Sequence, residues 1–526
     1  MAALTQAPRG AFVFIGFMGA GKSTVAAQLA DALGVAAQDS DALLEARLGR
    51  TVAEQYDADR DGFRAEEEEL VCKLLADARP GAVIALGGGS VLSGRVREAL
   101  RDHVVVLLDV SAEEAWARVG GQDGGPERPL ARDRESFLAL HSQRQALYEQ
   151  IADAQLPAAG AGIALRARGA LRALSAAAPG TRLLWASSAS GEYPVMIGHG
   201  LLGGQGLRGI RQAAGIDEAG SRAFCISDRN VAPLYGKQLG KLAGSLALAP
   251  GEDHKTIAAA EAVWQALVAA QLTRSDHLIA LGGGVVGDLA GFCAATYQRG
   301  MRIVHVPTSL VAQVDSAYGG KTGVDLPQAK NYVGAYHLPS AVLVDPDLLA
   351  TLPPAELAAG WVEVLKTALI AGGELWRRVS QGDDVDEALI AGCVRLKLAV
   401  VAADERDAGA RRVLNLGHTV GHAIEAASGY RRYRHGEAVG LGLLAALRLS
   451  DREELRSLVR ELLLARELPV TLADTSVQAV LDAVALDKKR VGDRLPFVLV
   501  DAPGAVSAER EVDPAELRAA VMELVQ

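Results

Sequence analysis

The sequence predicts an α/β protein of several domains, and three observations carry that prediction. Short apolar runs alternate with segments of helical periodicity over most of the chain, glycine-rich turns directly follow two of those runs, and the last third reads as helix. At 526 residues the chain is too long for one hydrophobic core and implies about three domains of ordinary size. Half of the residues are apolar and only 4% aromatic, with abundant Ala and Gly, which suits closely packed layers of sheet and helix.

Residues 1–178 form the first expected unit. Ala11–Ile15 is a continuous apolar run and reads as a strand, Gly16–Thr24 (GFMGAGKST) has the composition of a phosphate loop, and Val25–Leu33 carries the helical pattern that should follow it. Asp39-Ser40-Asp41 falls at the end of a second strand or in its turn. Phe63, Arg64 and Glu67 open an acidic helix whose Glu66–Glu69 run is mostly a solvated face. Ala82–Leu86 reads as a strand leading into Gly87–Gly89, and Gly120–Pro129, with Arg118 and Arg128, has the make-up of a mobile lid. The helical stretch Gly169–Ala178 ends at Pro179-Gly180, which punctuates the chain. A second unit, 183–344, alternates strands such as Ala223–Ile226, His277–Leu281 and Arg302–Val306 with helices, as an open α/β sheet does. The third, 345–526, is expected to be all-helical, with long stretches such as Glu356–Ala371 and Glu437–Leu449.

A net charge of −10 and a pI near 5.6 argue against a nucleic-acid-binding face and leave small anions as the expected partners. The four cysteines, Cys72, Cys225, Cys293 and Cys393, lack CxxC spacing, so neither a disulfide framework nor a thiolate zinc site is indicated, and they are expected as buried small residues. No basic region with a cleavable apolar core opens the chain and no apolar run is long enough to span a bilayer, so the expectation is a cytoplasmic enzyme with no membrane partner.

In the first unit the loop glycines let backbone N–H groups close around phosphate oxygens, Lys22 can reach the β and γ phosphates of a nucleotide, and the Ser23 hydroxyl can ligate Mg²⁺. An acidic residue at 39–41 can help to hold the metal through water while another bonds a hydroxylated substrate. The bare Gly87–Gly89 backbone permits close approach by a ligand. Together GFMGAGKST, DSD, GFRxxE, LGGGS, RPL and the RxxLY of Arg144–Tyr148 resemble shikimate kinase across almost the whole first unit. The resemblance implies ATP on Gly19, Ala20, Gly21, Lys22, Ser23 and Thr24, with Ser23 and Asp39 supporting Mg²⁺. It further implies shikimate on Asp41, Arg64, Gly87, Gly88, Gly89 and Arg144, and Arg128 closing from the lid onto the nucleotide. Lys22, Asp41 and Arg128 would be the catalytic group. The chemistry agrees, since Arg64 and Arg144 suit a carboxylate and Asp41 suits ring hydroxyls.

In the remainder, the strand His277–Leu281 runs into Gly282–Asp288 (GGGVVGD), which can place amides on a pyrophosphate or be only a tight turn. Asp228 and Asn230 end an earlier strand where ribose contacts are usual, and Glu252 with Lys255 follows another. Glu363, His418 and His435 are a sound catalytic zinc set, with His422 close by. His418 and His422 lie four apart, as in a metalloprotease helix, but Thr419 stands where that motif needs glutamate, which excludes proteolysis. Lys321 between glycines and a threonine looks placed for an anion. With Arg299, Lys330, Lys366, Lys397, Arg411 and the Lys488-Lys489 pair it suggests a polyanionic substrate, although any one of these could be a surface charge.

From about Leu183 onward these motifs, in this order, resemble 3-dehydroquinate synthase. The resemblance implies a Rossmann-like NAD⁺ domain followed by a helical metal domain, and a homodimer. Zn²⁺, or Co²⁺ in its place, would sit on Glu363, His418 and His435. NAD⁺ would be surrounded by Asp228, Asn230, Glu252, Lys255, Gly283, Gly284, Val285, Asp288, Thr308, Ser309, Lys321, Lys330, Thr351 and Leu352. Arg299, Asp315, Lys321, Lys330, Asn331, Lys366, Lys397, Arg411, Asn415, His422 and one of the lysine pair, Lys488, would contact a seven-carbon sugar-acid phosphate, with Lys321, Lys366, Arg411 and His422 catalytic. Ser309 and Asp325 depart from the Thr and Asn more usual in the family. Both resemblances in one chain imply a bifunctional shikimate-pathway enzyme. The alternatives are an N-terminal unit that binds nucleotide only to regulate, and a C-terminal unit that acts as another sugar-phosphate cyclase or a polyol dehydrogenase.

Overall fold

The computed structural model describes residues 10–119, 129–131, 133–158, 162–175, 177–203, 205–216, 220–327, 329–485 and 496–525. The chain divides into two compact units, Met1–Ala186 with Tyr193–Gly220, and Ser187–Glu192 with Ser221–Gln526.

Among the described residues the sheet of the first unit is built from β1 (Phe12–Ile15), β2 (Ala37–Asp39), β3 (Val83–Ala85), β4 (Val104–Asp109), β5 (Ala154–Pro157), β6 (Arg182–Ser188) and β7 (Gly191–Ile197). Their spatial order is β2-β3-β1-β4-β5-β6-β7, and the pairings from β2 to β6 are parallel. All four residues of β1 and all three of β3 are buried. A parallel sheet covered by helices on both faces requires this, so these strands read as apolar runs and not as alternation. β1 lies between β3 and β4, so the strand order reverses at its carboxyl end, where open α/β sheets bind ligands. The helix Lys22–Leu33 starts there, from Gly21 in the left-handed region at φ 83°, with no capping side chain.

The second unit has a sheet of β8 (Ala223–Asp228), β9 (Gly244–Leu248), β10 (His277–Gly282) and β11 (Arg302–Pro307), then a separate antiparallel hairpin of β12 (Lys321–Leu326) and β13 (Ala329–Tyr336), and then β14 (Ala341–Val344), which rejoins the sheet. The order β14-β11-β10-β8-β9 is parallel throughout and switches direction between β8 and β10. Asp228 and Gly282, the last residues of these two strands, therefore face the same crevice. Ile226, Leu278, Ala280, Val286, Leu289, Ile303 and Val324 share one core, which ties the hairpin to the helix Gly284–Thr296.

The helices Pro354–Ala371, Glu387–Ala403, His418–Ala427 and His435–Leu449 dominate the chain beyond β14. To the expected helical pattern the structure adds one hairpin, β15 (Phe497–Ala502) with β16 (Ala505–Arg510). Its first four residues are all buried, so it lacks the alternation that would mark it as a strand. The helices meet backbone to backbone. A Cβ on Gly436 would lie 1.8 Å from the Ala359 carbonyl oxygen, and one on Gly442 would lie 2.0 Å from that of Gly417. Cys225, Cys293 and Cys393 are buried as expected, whereas Cys72 is only half-buried, on the outer acidic helix Arg60–Ala76. Among the described residues no helix is long and apolar enough to cross a membrane.

Candidate active sites

The site of the first unit is assembled around the end of β1. Gly16 and Gly19 adopt φ 140° and 82°, and a Cβ on Gly16 would lie 2.6 Å from the Leu108 carbonyl oxygen, so the loop needs glycine to leave the strand this tightly. The Lys22 ammonium donates to the Phe17 carbonyl at 3.2 Å and so lies along the loop. Asp39 ends β2 and caps the helix Ser40–Leu48, its Oδ1 accepting from the amides of Asp41 (3.0 Å) and Ala42 (3.3 Å).

Asp41, Arg64, Gly87–Gly89 and Arg144 converge. A Cβ on Gly87 would lie 2.3 Å from Asp41 Oδ1, and one on Gly89 would lie 2.2 Å from Arg64 Nη1, so the missing side chains are the space these charged groups occupy. Arg64 pairs with buried Glu67, which also accepts from Ser90 Oγ at 2.9 Å, and its guanidinium stands 5.1 Å from the Phe63 ring. Arg144 is buried, 5.9 Å from the Phe17 ring centroid and 3.5 Å from the Gly88 carbonyl oxygen. The same oxygen accepts from the Tyr148 hydroxyl at 2.5 Å, and burial pushes that phenol up to about 12. Arg128 lies outside the described residues, as do 120–127 of the expected lid.

In the second unit one group of charges gathers at the switch point. Lys255 is buried and contacts Glu252 (2.8 Å), Asp288 (3.3 Å), Asn331 Oδ1 (2.7 Å) and Asp325 (3.9 Å). Burial raises the Asp288 carboxyl to about 6 against the pull of Lys255. Asp228 Oδ1 accepts from the amides of Asn230 (2.8 Å) and Val231 (3.0 Å), forming the turn after β8. Cβ atoms on Gly283 and Gly284 would lie 3.1 Å from the hydroxyls of Ser309 and Ser316, and Val285 follows them half-buried in the first turn of the helix Gly284–Thr296. Thr351 exchanges a hydrogen bond with the Tyr235 hydroxyl at 2.7 Å, with Leu352 next to it in sequence. Arg299 stands in the left-handed region at φ 68°, Thr308 is buried, and Asn415 ends the short helix Ala410–Asn415. Lys488 lies outside the described residues.

A second group of charges surrounds Glu363. Its Oε1 lies 3.5 Å from His418 Nε2 and 3.3 Å from His435 Nε2, and the His422 ring is centred 5.2 Å from that of His418. Ligand atoms of His418, His422 and His435 all lie within 4.8 Å of one another. Both Glu363 oxygens are buried within ion-pair reach of Lys366 or the imidazoles, yet none of these contacts is directed as a hydrogen bond. An oxygen such as Oε1, left undirected between two imidazoles, is what a divalent cation would satisfy. The field has the matching sign. Burial opposes charge, but Lys366 and the imidazoles hold Glu363 well below the usual carboxylate range, and Glu363 with Glu425 raises His435 to about 10.

Cations line the rest of this group. Lys366 reaches Glu363 at 2.5 Å and Asp315 at 4.0 Å, and Lys397 reaches Asp315 at 2.7 Å. Burial would raise Asp315, but the two lysines hold it at about 2, whereas burial lowers Lys397. Arg411 is buried and donates to the carbonyls of Glu405 (2.7 Å) and Gly319 (3.3 Å), and Lys321 pairs with Asp407 at 2.5 Å. Sequence reasoning missed two members. Asp407 sits in a charged loop that reads as solvent-facing. Glu425 lies three residues after His422 and seven after His418, a spacing that places all three on one helical face and could have revealed it. A surface groove of about 500 Å³ lined by Ser380, Asp384, Leu458, Glu461 and Arg466 contains none of these groups.

Residues 18–168 match the family model for shikimate kinase, 245–359 that for the 3-dehydroquinate synthase N-terminal region, and 360–490 that for its C-terminal region. The 3-dehydroquinate synthase of Halorhodospira halophila is 42% identical over 65% of this chain and all of its own length, and that of Symbiobacterium thermophilum is 42% identical over 62% and 96%. Among solved structures, 2-epi-5-epi-valiolone synthase from Streptomyces hygroscopicus, with NAD⁺ and Zn²⁺ bound, aligns at TM-score 0.57 and 26% identity over 63% of this chain and 96% of its own. A 2-deoxy-scyllo-inosose synthase complexed with carbaglucose-6-phosphate, NAD⁺ and Co²⁺ shares the fold at TM-score 0.58 and 24% identity, over 65% of this chain and all of its own. The chain therefore belongs to the 3-dehydroquinate synthase family, with a shikimate kinase domain preceding the synthase in the same polypeptide.

Proposed function

We propose that the first unit transfers the γ-phosphoryl of ATP·Mg²⁺ to shikimate and that the second converts 3-deoxy-D-arabino-heptulosonate 7-phosphate to 3-dehydroquinate with release of phosphate. In domain terms we assign 1–178 to the kinase, 183–344 to the NAD⁺ domain and 345–526 to the zinc and substrate domain, in a cytoplasmic homodimer whose mass light scattering would read.

In the kinase, Lys22 and the loop amides neutralise phosphate charge, and phosphoryl transfer needs little beyond that and positioning. Ser23 and the Asp39 oxygen turned away from its helix cap support Mg²⁺. Arg64, fixed by Glu67, and Arg144, over Phe17, pair with the substrate carboxylate, while Asp41 accepts from a ring hydroxyl beside the bare Gly87 backbone.

In the synthase the observation that carries the reading is buried Glu363 facing His418 and His435 without a directed hydrogen bond. These three residues hold zinc. Zinc and NAD⁺, when bound, supply polarisation of the substrate hydroxyls and a hydride acceptor that is regenerated in each turnover. Asp228, Glu252, Lys255, Asp288 and the Gly283–Gly284 turn hold the dinucleotide at the strand switch. Lys321, Lys366, Lys397 and Arg411 bind the phosphate and carboxylate of the substrate, and Asp315, kept ionised by its two lysines, orients their ammonium groups. Among related cyclisations, the identity of 42% to 3-dehydroquinate synthases against 26% to the valiolone synthase favours the former. The deciding experiment assays phosphate release before chelation, after it, and after zinc is restored, alongside ADP formation with shikimate. Phosphate release that survives complete zinc removal would overturn the synthase reading, and a folded chain that forms no ADP would overturn the kinase reading.

A further inference from the structure

Glu425 lies in the last turns of the helix His418–Ala427 and is buried. Its two oxygens face different partners. Oε2 lies 3.4 Å from His435 Nδ1, on the edge of the ring opposite the Nε2 that faces Glu363. Oε1 lies 3.8 Å from the Lys330 ammonium, which also stands 4.3 Å over the Tyr430 ring. Tyr430 is held in turn by the same glutamate, because its amide donates to the Glu425 carbonyl at 2.7 Å, with Tyr430 in the left-handed region at φ 57°. Lys330 precedes Asn331 on β13, and Asn331 Oδ1 accepts from Lys255 at 2.7 Å. One buried carboxylate thus stands between the imidazole of the metal group and the hairpin strand that closes on the dinucleotide group.

Resting on the zinc reading above, we propose that Glu425 is a positioning residue with two tasks: it orients His435 through Nδ1, so that Nε2 is presented to the metal, and it anchors Lys330 for its anionic ligand. A carboxylate that accepts from the distal nitrogen of a metal-binding imidazole fixes the tautomer and orientation of the ring, and its loss weakens metal binding about 10- to 100-fold. Lys330 needs the same carboxylate because the Tyr430 ring face, though attractive to a cation, gives it no single direction.

The test uses the full chain carrying Glu425→Gln, which keeps the shape and removes the charge. Zinc affinity is measured without substrate by competition with a chromophoric chelator, and the visible spectrum of the Co²⁺-loaded protein is recorded. The expected result is about 10- to 100-fold weaker zinc binding, an altered Co²⁺ spectrum, a raised KM for the sugar phosphate or NAD⁺, and unchanged shikimate phosphorylation by the same molecules. Wild-type zinc affinity within twofold in a folded variant would overturn the proposal, since a glutamate that only supports the fold would lower the melting temperature without moving affinity or KM. If Glu425→Gln does not fold, Glu425→Asp, one methylene shorter, is read by the same criteria. A wild-type chain that takes up no zinc would overturn the metal reading and this proposal together. Wild-type chain that binds zinc but releases no phosphate would overturn only the synthase reading.

Discussion

On the proposed reading, the two sites of this protein receive phosphate in opposite ways. At the end of β1 the receptor is main chain, namely the glycines of 16–21 and the uncapped first turn of the helix Lys22–Leu33, with Lys22 as the one cation inside the loop. Around Glu363 the receptor is side chain, a set of lysines, imidazoles and carboxylates that compensate one another, most of them buried and His422 and His435 partly exposed. A backbone receptor tolerates the loss of most side chains but depends on local conformation. A side-chain receptor in a poorly polarisable interior depends on charge balance, so removing one member leaves another unpaired.

The largest expected effect tests whether the two sites are independent. Lys22→Met should reduce shikimate phosphorylation about 10²- to 10³-fold, equivalent to about 3–4 kcal/mol of barrier, and leave phosphate release by the synthase unchanged. A parallel fall in both activities would break the comparison.

Next in size is a pH effect confined to the second unit. His305 on β11 is buried, and burial, with His337 nearby, lowers it from 6.5 to about 4. The native ring stays neutral where the unfolded one takes up a proton, so this contribution is complete above about pH 6.5 and lost as pH falls toward 4, by about 3 kcal/mol in all. The melting difference between wild type and His305→Leu should therefore move in favour of the variant between pH 7.5 and 5, and a constant difference would contradict it.

The helix contact that assembles the second site comes third. Gly436→Ala should destabilise the protein by about 1–3 kcal/mol and weaken zinc binding, because its Cβ would strike the Ala359 carbonyl four residues before Glu363. Gly89→Ala is the smallest and the most selective. Its Cβ displaces the guanidinium end of the Arg64 side chain and not the backbone, so the KM for shikimate should rise about tenfold, worth about 1.4 kcal/mol, with kcat and the melting temperature little changed.

Legibility follows the same division. The phosphate loop, β1 and the helix after it are contiguous, and a continuous buried run followed by GFMGAGKST has few other solutions. His418, His422 and His435 are near neighbours in sequence and are equally readable. Glu363 is read through its chemical type, which completes a zinc set, and Lys366, His418 and His435, which hold it ionised, are legible as candidates in the same way. What no short window shows is the long-range pairing, Asp407 on Lys321 and Glu425 on Lys330, which joins segments far apart in the chain. The strand β15 is hidden because burial of its first four residues on both faces erases the period-2 pattern.

By itself the sequence determined the α/β class, the strand–loop–helix of the nucleotide site, and the residue types that a zinc and dinucleotide chemistry needs. All of these are written in local conformation and composition. The tertiary structure alone decided which of the many charges become partners. Helices stacked through Gly436 and Gly442 bring Glu363 to the imidazoles, and a hairpin folded back on its sheet brings Asn331 to Lys255. Electrostatic partnership depends on distance in space and on exclusion of water, neither of which is encoded in any short window of sequence.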